Sequence, residues 1–359
     1  MLLEKTIAEI GDLYAEPMKR AQERLDSLIK PPGSLGRLEE LAVRLAGITG
    51  NPRPRIKDKA VILMAGDHGV VAEGVSAAPQ EITHQMLPTF VQGVAGIGVL
   101  ARLAGARLVV VDMGVAGPVD YPGVLKRKVR PGTGNIARGP AMSREEAVRA
   151  IEAGIAVALE EIGKGADLLA LGDMGIGNTT PSSAILAVLT GCGPEEATGR
   201  GTFVNDEVLA KKIRAVEQAI AVNRPDPGDG LDVLAKVGGL EIAGLAGVVL
   251  AAAARRVPVL LDGFITTAAA MIAARLAPGS RQYMIASHLS GEQGHRLMLE
   301  YLDLKPMLDM AMRLGEGTGA ALAMHLVEAA THVINEMLSF GEAGVSELEE
   351  EKLMGNPVL

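Results

Sequence analysis

Aromatic side chains are scarce in this chain: 4 Phe, 4 Tyr and no Trp make up 2% of its 359 residues. Proteins that bind single-stranded nucleic acid stack bases on aromatic rings, so the composition argues against that class. Excess positive charge is also missing, because 35 Lys and Arg are outnumbered by 43 Asp and Glu. With a formal net charge of −8, we expect no nucleic-acid partner and no attraction to an anionic membrane.

Cysteine occurs once, at Cys192, which we interpret as a small side chain in a loop. A single cysteine excludes an intramolecular disulfide and any CxxC metal site, and it fits a protein of the reducing cytoplasm. The first 16 residues lack a basic segment followed by an apolar core, so we expect a helix there and no signal peptide. The longest strongly apolar run, 242–254, is shorter than the about 20 residues of a membrane-spanning helix.

Short apolar runs, each followed by Gly or Asp and then by an alanine-rich stretch with helical spacing, recur along the chain. They predict strands at 60–64, 108–111, 168–171, 257–261 and 283–286. Continuously apolar strands that alternate with helices are typical of a parallel sheet covered on both faces. The sequence therefore predicts an α/β fold, in which ligands bind beyond the carboxyl ends of the strands. The Gly and Asp turns fall at those ends.

The stretch LGDMGIGNTT, residues 171–180, joins one predicted strand to a predicted helix. Gly175, Gly177 and the amides of residues 178–180 would form an anion-binding turn at a helix N-terminus. The turn is not a Walker A loop, because GxxxxGK[ST] does not occur, and Pro181 suits the first turn of a helix. An ordinary tight turn between a strand and a helix is the alternative interpretation.

A second glycine-rich stretch, RLGEGTGAALA, places Glu316 between two glycines just before an alanine-rich helix. The helix dipole lowers the pKa of such a carboxylate and burial raises it, so its proton affinity can be set near neutrality. Glu316 is therefore a candidate general base, with a helix-capping role as the alternative. Asp173 lies at the mouth of the other glycine-rich turn, so we expect two carboxylates to face one pocket.

Histidines and lysines give weaker signals. Asp67 and His68 in AGDHGV indicate a loop-bracing pair more than a metal site. His288 and His295 are seven residues apart in a Gly- and Ser-rich segment without a suitably spaced third ligand, so we expect no metal. The remaining candidates are two adjacent lysines, one of which could reach a phosphate, and three histidines in helical patterns that we interpret as structural: Lys211, Lys212, His84, His325 and His332.

Seven stretches together resemble the nicotinate-nucleotide:dimethylbenzimidazole phosphoribosyltransferases, in the order expected of that family and over essentially the whole chain. They are KPPGSLGRLEELA (30–42), AGDHGV (65–70), VSAAPQEITHQM (75–86), GDMGIGNTT (172–180), GRGT (199–202), SRQYMIASHLSGEQGH (280–295) and RLGEGTGAALA (313–323). The resemblance implies transfer of the phosphoribosyl group of nicotinate mononucleotide to 5,6-dimethylbenzimidazole. The products are nicotinate and α-ribazole 5′-phosphate, the lower-ligand nucleotide of cobalamin.

The resemblance also implies an architecture. We expect a doubly wound, mostly parallel, Rossmann-like sheet in a large domain, 50–310, and a smaller helical domain built from both chain ends, 1–49 and 311–359. The family works without a cofactor or metal and usually forms a homodimer.

Site residues follow from the matching motifs. Glu316 corresponds to the general base that takes the imidazole proton, and Asp173 is a possible second catalytic carboxylate. The phosphoribosyl group is expected at Gly175, Ile176, Gly177, Asn178, Thr179, Thr180, Lys212 and Ser290. The base is expected at Ser76, Gln80, Gln85, Met86 and Leu314.

Three departures from the family pattern bear on these roles. Asp173 stands where a glutamate is common, Phe203 follows GRGT where a glycine is usual, and Ala78 replaces a frequent aromatic. The acceptor is therefore left open among dimethylbenzimidazole, other benzimidazoles, adenine and phenols. A dinucleotide-dependent oxidoreductase is disfavoured, because GxGxxG is missing from the first βαβ unit. A non-catalytic nucleotide-binding protein remains an alternative, but it would have no use for Glu316.

Overall fold

The structure, a computed structural model, describes residues 1–201 and 204–346. Its contacts divide the chain into two compact units. The first consists of 1–11 and 58–323, and the second of 12–57 and the described residues from 324 onward. The predicted domains, 50–310 and 1–49 with 311–359, stay a prediction, because a division by contacts does not test independent folding.

Six parallel strands form the sheet of the first unit, in the order β3-β2-β1-β4-β5-β6. Their bounds are β1 Lys59–Gly66, β2 Ala106–Gly114, β3 Val124–Lys126, β4 Leu168–Met174, β5 Val259–Leu261 and β6 Met284–Ala286. All five predicted strands are present, and β3 is an additional edge strand of three residues. Two further two-residue strands, β7 His288–Leu289 and β8 Leu308–Asp309, pair with each other.

The sheet confirms the predicted doubly wound α/β fold. The chain runs outward from β1 to β2 and β3, and then returns to the other side of β1 with β4, β5 and β6. The strand order therefore reverses between β1 and β4, which is where such folds place their ligands. Met64 of β1 pairs with Asp173 of β4 at this position.

Fifteen α-helices lie within the described residues. They are α1 Leu2–Ala8, α2 Ala15–Asp26, α3 Arg37–Thr49, α4 Glu81–Val91, α5 Gly96–Leu103, α6 Arg144–Gly163, α7 Thr179–Thr190, α8 Pro194–Ala197, α9 Asp206–Asn223, α10 Gly230–Val237, α11 Leu240–Ala254, α12 Phe264–Leu276, α13 His295–Tyr301, α14 Thr318–Glu336 and α15 Phe340–Ala343. The single helix expected over the first 16 residues is wrong in extent, because the chain leaves α1 after Ala8 and starts α2 only at Ala15.

The most apolar helix, α11, is a core helix. All but the last of its residues are buried, because it packs on α6, on α12 and on the central strands. Its approach to α6 is set by glycine: a Cβ added at Gly154 of α6 would collide with the backbone of Gly244, and one at Gly247 with the backbone of Ile151. Two helices in backbone contact leave no room for side chains between them.

One segment, Glu81–Leu103, is long and apolar enough to cross a membrane by length and composition alone. In the structure it is not one continuous helix, since the turn at 92–95, with Gly93 at φ +70°, separates α4 from α5. Only 28% of its most apolar stretch is buried. Its exposed apolar side chains are Val91, Val94, Val99 and Leu103.

The second unit contains α2, α3, α15 and the larger part of α14, from Met324 onward. The motif KPPGSLGRLEELA lies here and is anchored by a buried ion pair, in which the Lys30 ammonium is 2.9 Å from Oε1 of Glu39. The same oxygen accepts a 2.8 Å hydrogen bond from the Leu35 amide. Arg24 binds Glu342 at 2.9 Å and joins α2 to α15.

Candidate active site

The turn after β4 leads directly into α7. Gly177 has φ +87°, and a Cβ there would lie 2.7 Å from Val71, so the position requires glycine. The amides of Asn178 and Thr180 donate to the carbonyls of Gly175 and Gly177 within the turn. The amide of Ile176 donates to Oγ1 of Thr83 at 3.0 Å. The expectation that the amides of residues 178–180 are all available to an anion is therefore corrected. Two of the three donate hydrogen bonds within the turn instead.

Polar side chains next to the turn line a cavity. Asn178, Thr179 and Ser290 line one cavity, together with Gly201 and Glu292. The Lys212 ammonium lies behind them and donates a 2.8 Å hydrogen bond to Oγ1 of Thr179. These polar groups converge from the start of α7, from α9 and from the segment after β7. The arrangement can hold a phosphate by charge and by hydroxyl donors.

Lys212 is the buried member of the two adjacent lysines. Burial lowers its pKa to about 8, and the neighbouring Glu292 carboxylate opposes that effect. Burial likewise raises the pKa of Glu292, with Lys212 acting in the opposite direction. Lys211, in contrast, points outward and pairs with Glu207 at 2.6 Å.

His295 fixes the loop that carries Ser290. Its Nδ1 accepts a 2.9 Å hydrogen bond from the Ser290 amide, so the ring proton is on Nε2 and is donated to Oγ1 of Thr267 at 2.9 Å. Burial, reinforced by nearby His288, lowers the pKa of His295 to about 3, and the ring is neutral. His295 is thus a structural residue. Within the ranges 1–201 and 204–346, no three His, Cys, Asp or Glu side chains form a metal-binding group.

Asp173 lines the same cavity at the end of β4. Burial raises its pKa to about 8, and the charges of Asp262, Glu241 and Glu316 act in the same direction. The 2.9 Å hydrogen bond from the Asn178 side-chain amide opposes the rise. Asp173 is consequently mostly protonated at neutral pH, and it can donate a hydrogen bond.

Glu316 occupies a strained loop. Gly315, Glu316 and Gly317 have φ values of +80°, +63° and +96°, three consecutive residues in a region that non-glycine residues rarely adopt. Burial raises the pKa of the Glu316 carboxyl; a hydrogen bond from the backbone N–H of Ile97 lowers it, and the charge of Asp262 raises it further. The residue as a whole is only 7% exposed. A carboxylate held this way is suited to accept a proton.

Asp262, which the sequence analysis did not single out, orders this loop. One of its oxygens accepts from the Gly317 amide at 3.2 Å and the other from the Ala320 amide at 2.9 Å, so Asp262 caps the start of α14. His288 lies 3.6 Å from the same carboxylate. The only sequence signal is an acidic residue directly after β5, which is where α/β folds place functional groups.

The residues expected to bind the base fall in different places. Gln80 and Gln85 line a second cavity of about 400 Å³, together with Asp67, Glu81, His84, Ala116, Gly117 and Pro118. Leu314 lines the first cavity. Its side chain and that of Glu316 both lie over the start of α5, 2.8 and 3.2 Å from a Cβ added at Gly96.

Ser76 and Met86 line neither of these two cavities. The Ser76 hydroxyl donates to the Ala78 carbonyl and accepts from the Ala78 amide, both at 3.1 Å. The Met86 carbonyl accepts from Oγ1 of Thr89. Phe203, which follows GRGT in place of the usual glycine, lies outside the described residues.

Asp67 and His68 both brace loops, but not as a pair with each other. Asp67 accepts a 2.7 Å hydrogen bond from the Ala116 amide, which joins the ends of β1 and β2. His68 makes a 2.6 Å contact with Glu241 of α11. His68 and Glu241 are 173 residues apart, so no local sequence pattern predicted their interaction.

Several known proteins are similar to this chain over nearly its whole length. A family model described as "Phosphoribosyltransferase" matches residues 10–345. A protein of Desulforamulus reducens named nicotinate-nucleotide–dimethylbenzimidazole phosphoribosyltransferase is 58% identical over 96% of this chain and 99% of its own length. One of the same name from Chloroflexus aggregans is 57% identical over 97% of the chain and 99% of its own length.

A solved structure is similar throughout. The crystal structure of CobT from Thermus thermophilus matches with a TM-score of 0.89 and 51% sequence identity, over 92% of this chain and 99% of that one. Identity, coverage and fold therefore agree, and the chain belongs to the nicotinate-nucleotide–dimethylbenzimidazole phosphoribosyltransferase family.

Proposed function

We propose that this phosphoribosyltransferase moves the phosphoribosyl group of nicotinate mononucleotide to 5,6-dimethylbenzimidazole. Nicotinate in its mononucleotide is a pyridinium, and it leaves as a neutral ring when the C1′–N bond breaks. Attack by the benzimidazole nitrogen from the opposite face inverts C1′ and gives the α-riboside. The protein must align the two reactants, which can contribute ~7 to 11 kcal/mol, and remove one proton.

The observation that carries the proposal is the position of Glu316. Its loop contributes Leu314 and Gly315 to the first cavity, and the polar wall of the same cavity carries Asn178, Thr179 and Ser290. A proton acceptor beside an anion-binding wall fits a reaction that joins a phosphorylated sugar to a nitrogen base. A protein that only binds nucleotides would not need a buried carboxylate on a strained loop.

The phosphate is assigned to the wall formed by Asn178, Thr179, Lys212 and Ser290. Lys212 supplies the positive charge, and phosphate binding favours its protonated form. Gly175, Ile176, Gly177 and Thr180 shape the turn that presents these side chains.

Asp173 is assigned to the ribose. As a largely protonated acid it can donate a hydrogen bond to a sugar oxygen without adding a second negative charge beside Glu316. Glu316, with one oxygen held by Ile97, is assigned to the imidazole N–H of the base.

The base is assigned to the region between Leu314 and α4, with Gln80 and Gln85 on its polar side. Ser76 and Met86 are assigned indirect roles in shaping the α4 segment. Because Asp67, Glu81 and His84 also line the cavity beside α4, bases with polar substituents belong in any test of acceptor choice.

The direct test is to incubate the protein with nicotinate mononucleotide and a panel of bases, and to identify the riboside phosphate by mass spectrometry. The panel contains dimethylbenzimidazole, benzimidazole, adenine and a phenol. We expect release of nicotinate and an α-riboside phosphate with dimethylbenzimidazole. Binding of both substrates without nicotinate release would support the non-catalytic alternative.

We also propose a homodimer in which a second copy covers the exposed face of α4 and α5. Val94, in the turn between these helices, and Leu103, at the end of α5, are 65% and 66% exposed, an unusual exposure for large apolar residues. Light scattering on L103E tests this, with V222E on α9, also an exposed valine, as the control. The proposal requires that L103E shifts the protein towards the monomer and that V222E does not.

We also propose a cytoplasmic location, which the free thiol of Cys192 supports.

A further inference from the structure

His68 and Glu241 form a buried hydrogen-bonded pair that has no role in the proposed chemistry. Nε2 of His68 lies 2.6 Å from Oε1 of Glu241, and the two residues are 1% and 0% exposed. His68 follows β1, and Glu241 lies in the first turn of α11. Removing two titratable side chains from water costs free energy, which is repaid only where the pair has good geometry and well-made hydrogen bonds.

Three glycines from separate elements make room for the pair. A Cβ added at Gly175 would lie 3.1 Å from Nε2 of His68 and 3.2 Å from Oε1 of Glu241. One at Gly239 would lie 2.6 Å from the His68 ring, and one at Gly66 2.7 Å from Oε2 of Glu241. The pair therefore contacts the backbone of the turn after β4, the end of β1 and the start of α11 at once.

Gly175 connects the pair to the phosphate-binding wall. Its carbonyl accepts a 3.0 Å hydrogen bond from the Asn178 amide, and the Asn178 side chain donates to Asp173. Oγ1 of the next residue, Thr179, accepts a hydrogen bond from the Lys212 ammonium. A displacement of Gly175 would move Asn178 and Thr179 together.

The unpaired atoms of the pair indicate its protonation. Nδ1 of His68 and Oε2 of Glu241 have no hydrogen-bond partner among the described residues. A neutral imidazole with its proton on Nε2 leaves only a lone pair at Nδ1, whereas an imidazolium would leave a buried N–H without an acceptor. His68 therefore donates to a Glu241 carboxylate, which the N-terminus of α11 stabilises.

We propose that the His68–Glu241 pair is a positioning element that holds the turn at Gly175 in its phosphate-binding geometry. The inference rests on the proposed function, because it assumes that a phosphate binds at Asn178, Thr179 and Lys212. The pair acts through backbone packing and touches no substrate.

The test compares the affinity of nicotinate mononucleotide with that of nicotinate riboside, which lacks the phosphate. The dissociation constant of the riboside divided by that of the mononucleotide, both measured by calorimetry, reports the contribution of the phosphate alone. For H68A we expect this ratio to fall by about tenfold or more, since each hydrogen bond lost to a charged group such as phosphate costs about tenfold in affinity. For H68Q, whose side-chain amide can still donate to Glu241, we expect a ratio close to that of the parent.

E241Q keeps the shape of the pair but removes the charge that strengthens the bond, and its ratio should fall between those of H68A and the parent. The control is E161Q on α6, a carboxylate of similar burial that pairs with Arg107 and Lys164. It should lose stability without any change in the ratio. If H68A does not fold, the ratio measured for E241Q tests the positioning role.

The outcomes separate the two proposals. A parent protein that binds both ligands equally would refute the phosphate site itself. A strong phosphate preference in the parent that survives in H68A and E241Q would refute the positioning role and leave the phosphate site intact. Equal losses of affinity for both ligands would also refute the positioning role.

Discussion

The backbone N–H of Ile97, at the start of α5, donates a 3.0 Å hydrogen bond to Oε2 of Glu316. One carboxylate oxygen is thus fixed, and the other is left to accept a proton. We predict that E316Q lowers kcat with dimethylbenzimidazole at least ~100-fold, because the amide oxygen can still accept from Ile97 but the side chain cannot take up a proton. Affinity for nicotinate mononucleotide and the melting temperature should change little.

The capping alternative for Glu316 predicts a different result. A residue that only starts a helix would cost about 1 kcal/mol or less on conversion to the amide and would leave turnover nearly intact. An E316Q protein that melts normally, binds normally and still turns over within a few-fold of the parent would move the search for the base to Asp173.

Asp262 should control the pH dependence of the reaction. Its charge raises the pKa of Glu316 and of Asp173, and its two hydrogen bonds order the loop around Glu316. In D262N the charge is lost, so the pKa of Glu316 should fall and the acidic limb of kcat/KM should move to lower pH. We expect kcat to drop as well, on the order of tenfold, because the loop is less well held. An unchanged acidic limb would assign Asp262 a purely structural role.

Phosphate binding should weaken in mildly alkaline solution. Burial lowers the pKa of Lys212 to about 8, so its positive charge is lost as the pH rises through that value. We predict that the affinity for nicotinate mononucleotide, measured by calorimetry, declines above pH 8 and that K212M removes this decline. K211M is the matched control, because the neighbouring lysine is exposed and pairs with Glu207. The same decline in K212M as in the parent would contradict the assignment.

Asp173 should make the fold progressively less stable as the pH rises from 3.8 towards 8. Its pKa rises from 3.8 to about 8 in the folded chain, so the folded state holds the proton more tightly than the unfolded state does. Stability from this proton is complete below pH 3.8 and is lost as the pH rises towards 8. D173N has no proton to lose, so its melting temperature relative to the parent should rise across this range. A constant difference would show that Asp173 is already ionised in the folded protein.

Several parts of this molecule could be predicted from local sequence. The five main strands are continuous apolar runs, the signature of a sheet buried on both faces. Strand β3 escaped because three residues at an edge carry no periodic pattern. Glu316 stood out because glycines flank it and a helix follows.

Other features depend on contacts between distant segments. Asp262 is 55 residues from Gly317, and its carboxylate accepts a hydrogen bond from the Gly317 amide. The partner of His68 is on a helix that the sequence marks only as apolar. The amides at 178 and 180 could not be assigned from sequence, since their acceptors depend on how tightly the turn closes.

The backbone contact between Gly154 and Gly244 affects how a mutational survey of this enzyme would be interpreted. A screen that selects only for cobalamin-dependent growth would find alanine as harmful at Gly154 as at Glu316, although Gly154 is in a helix that packs on α11 and not in the candidate active site. Such a survey would wrongly assign a second functional region to the contact between α6 and α11. Soluble yield, recorded beside growth for every variant, would separate the two classes: damage at Gly154 should lower the amount of folded protein, whereas E316Q should leave it unchanged.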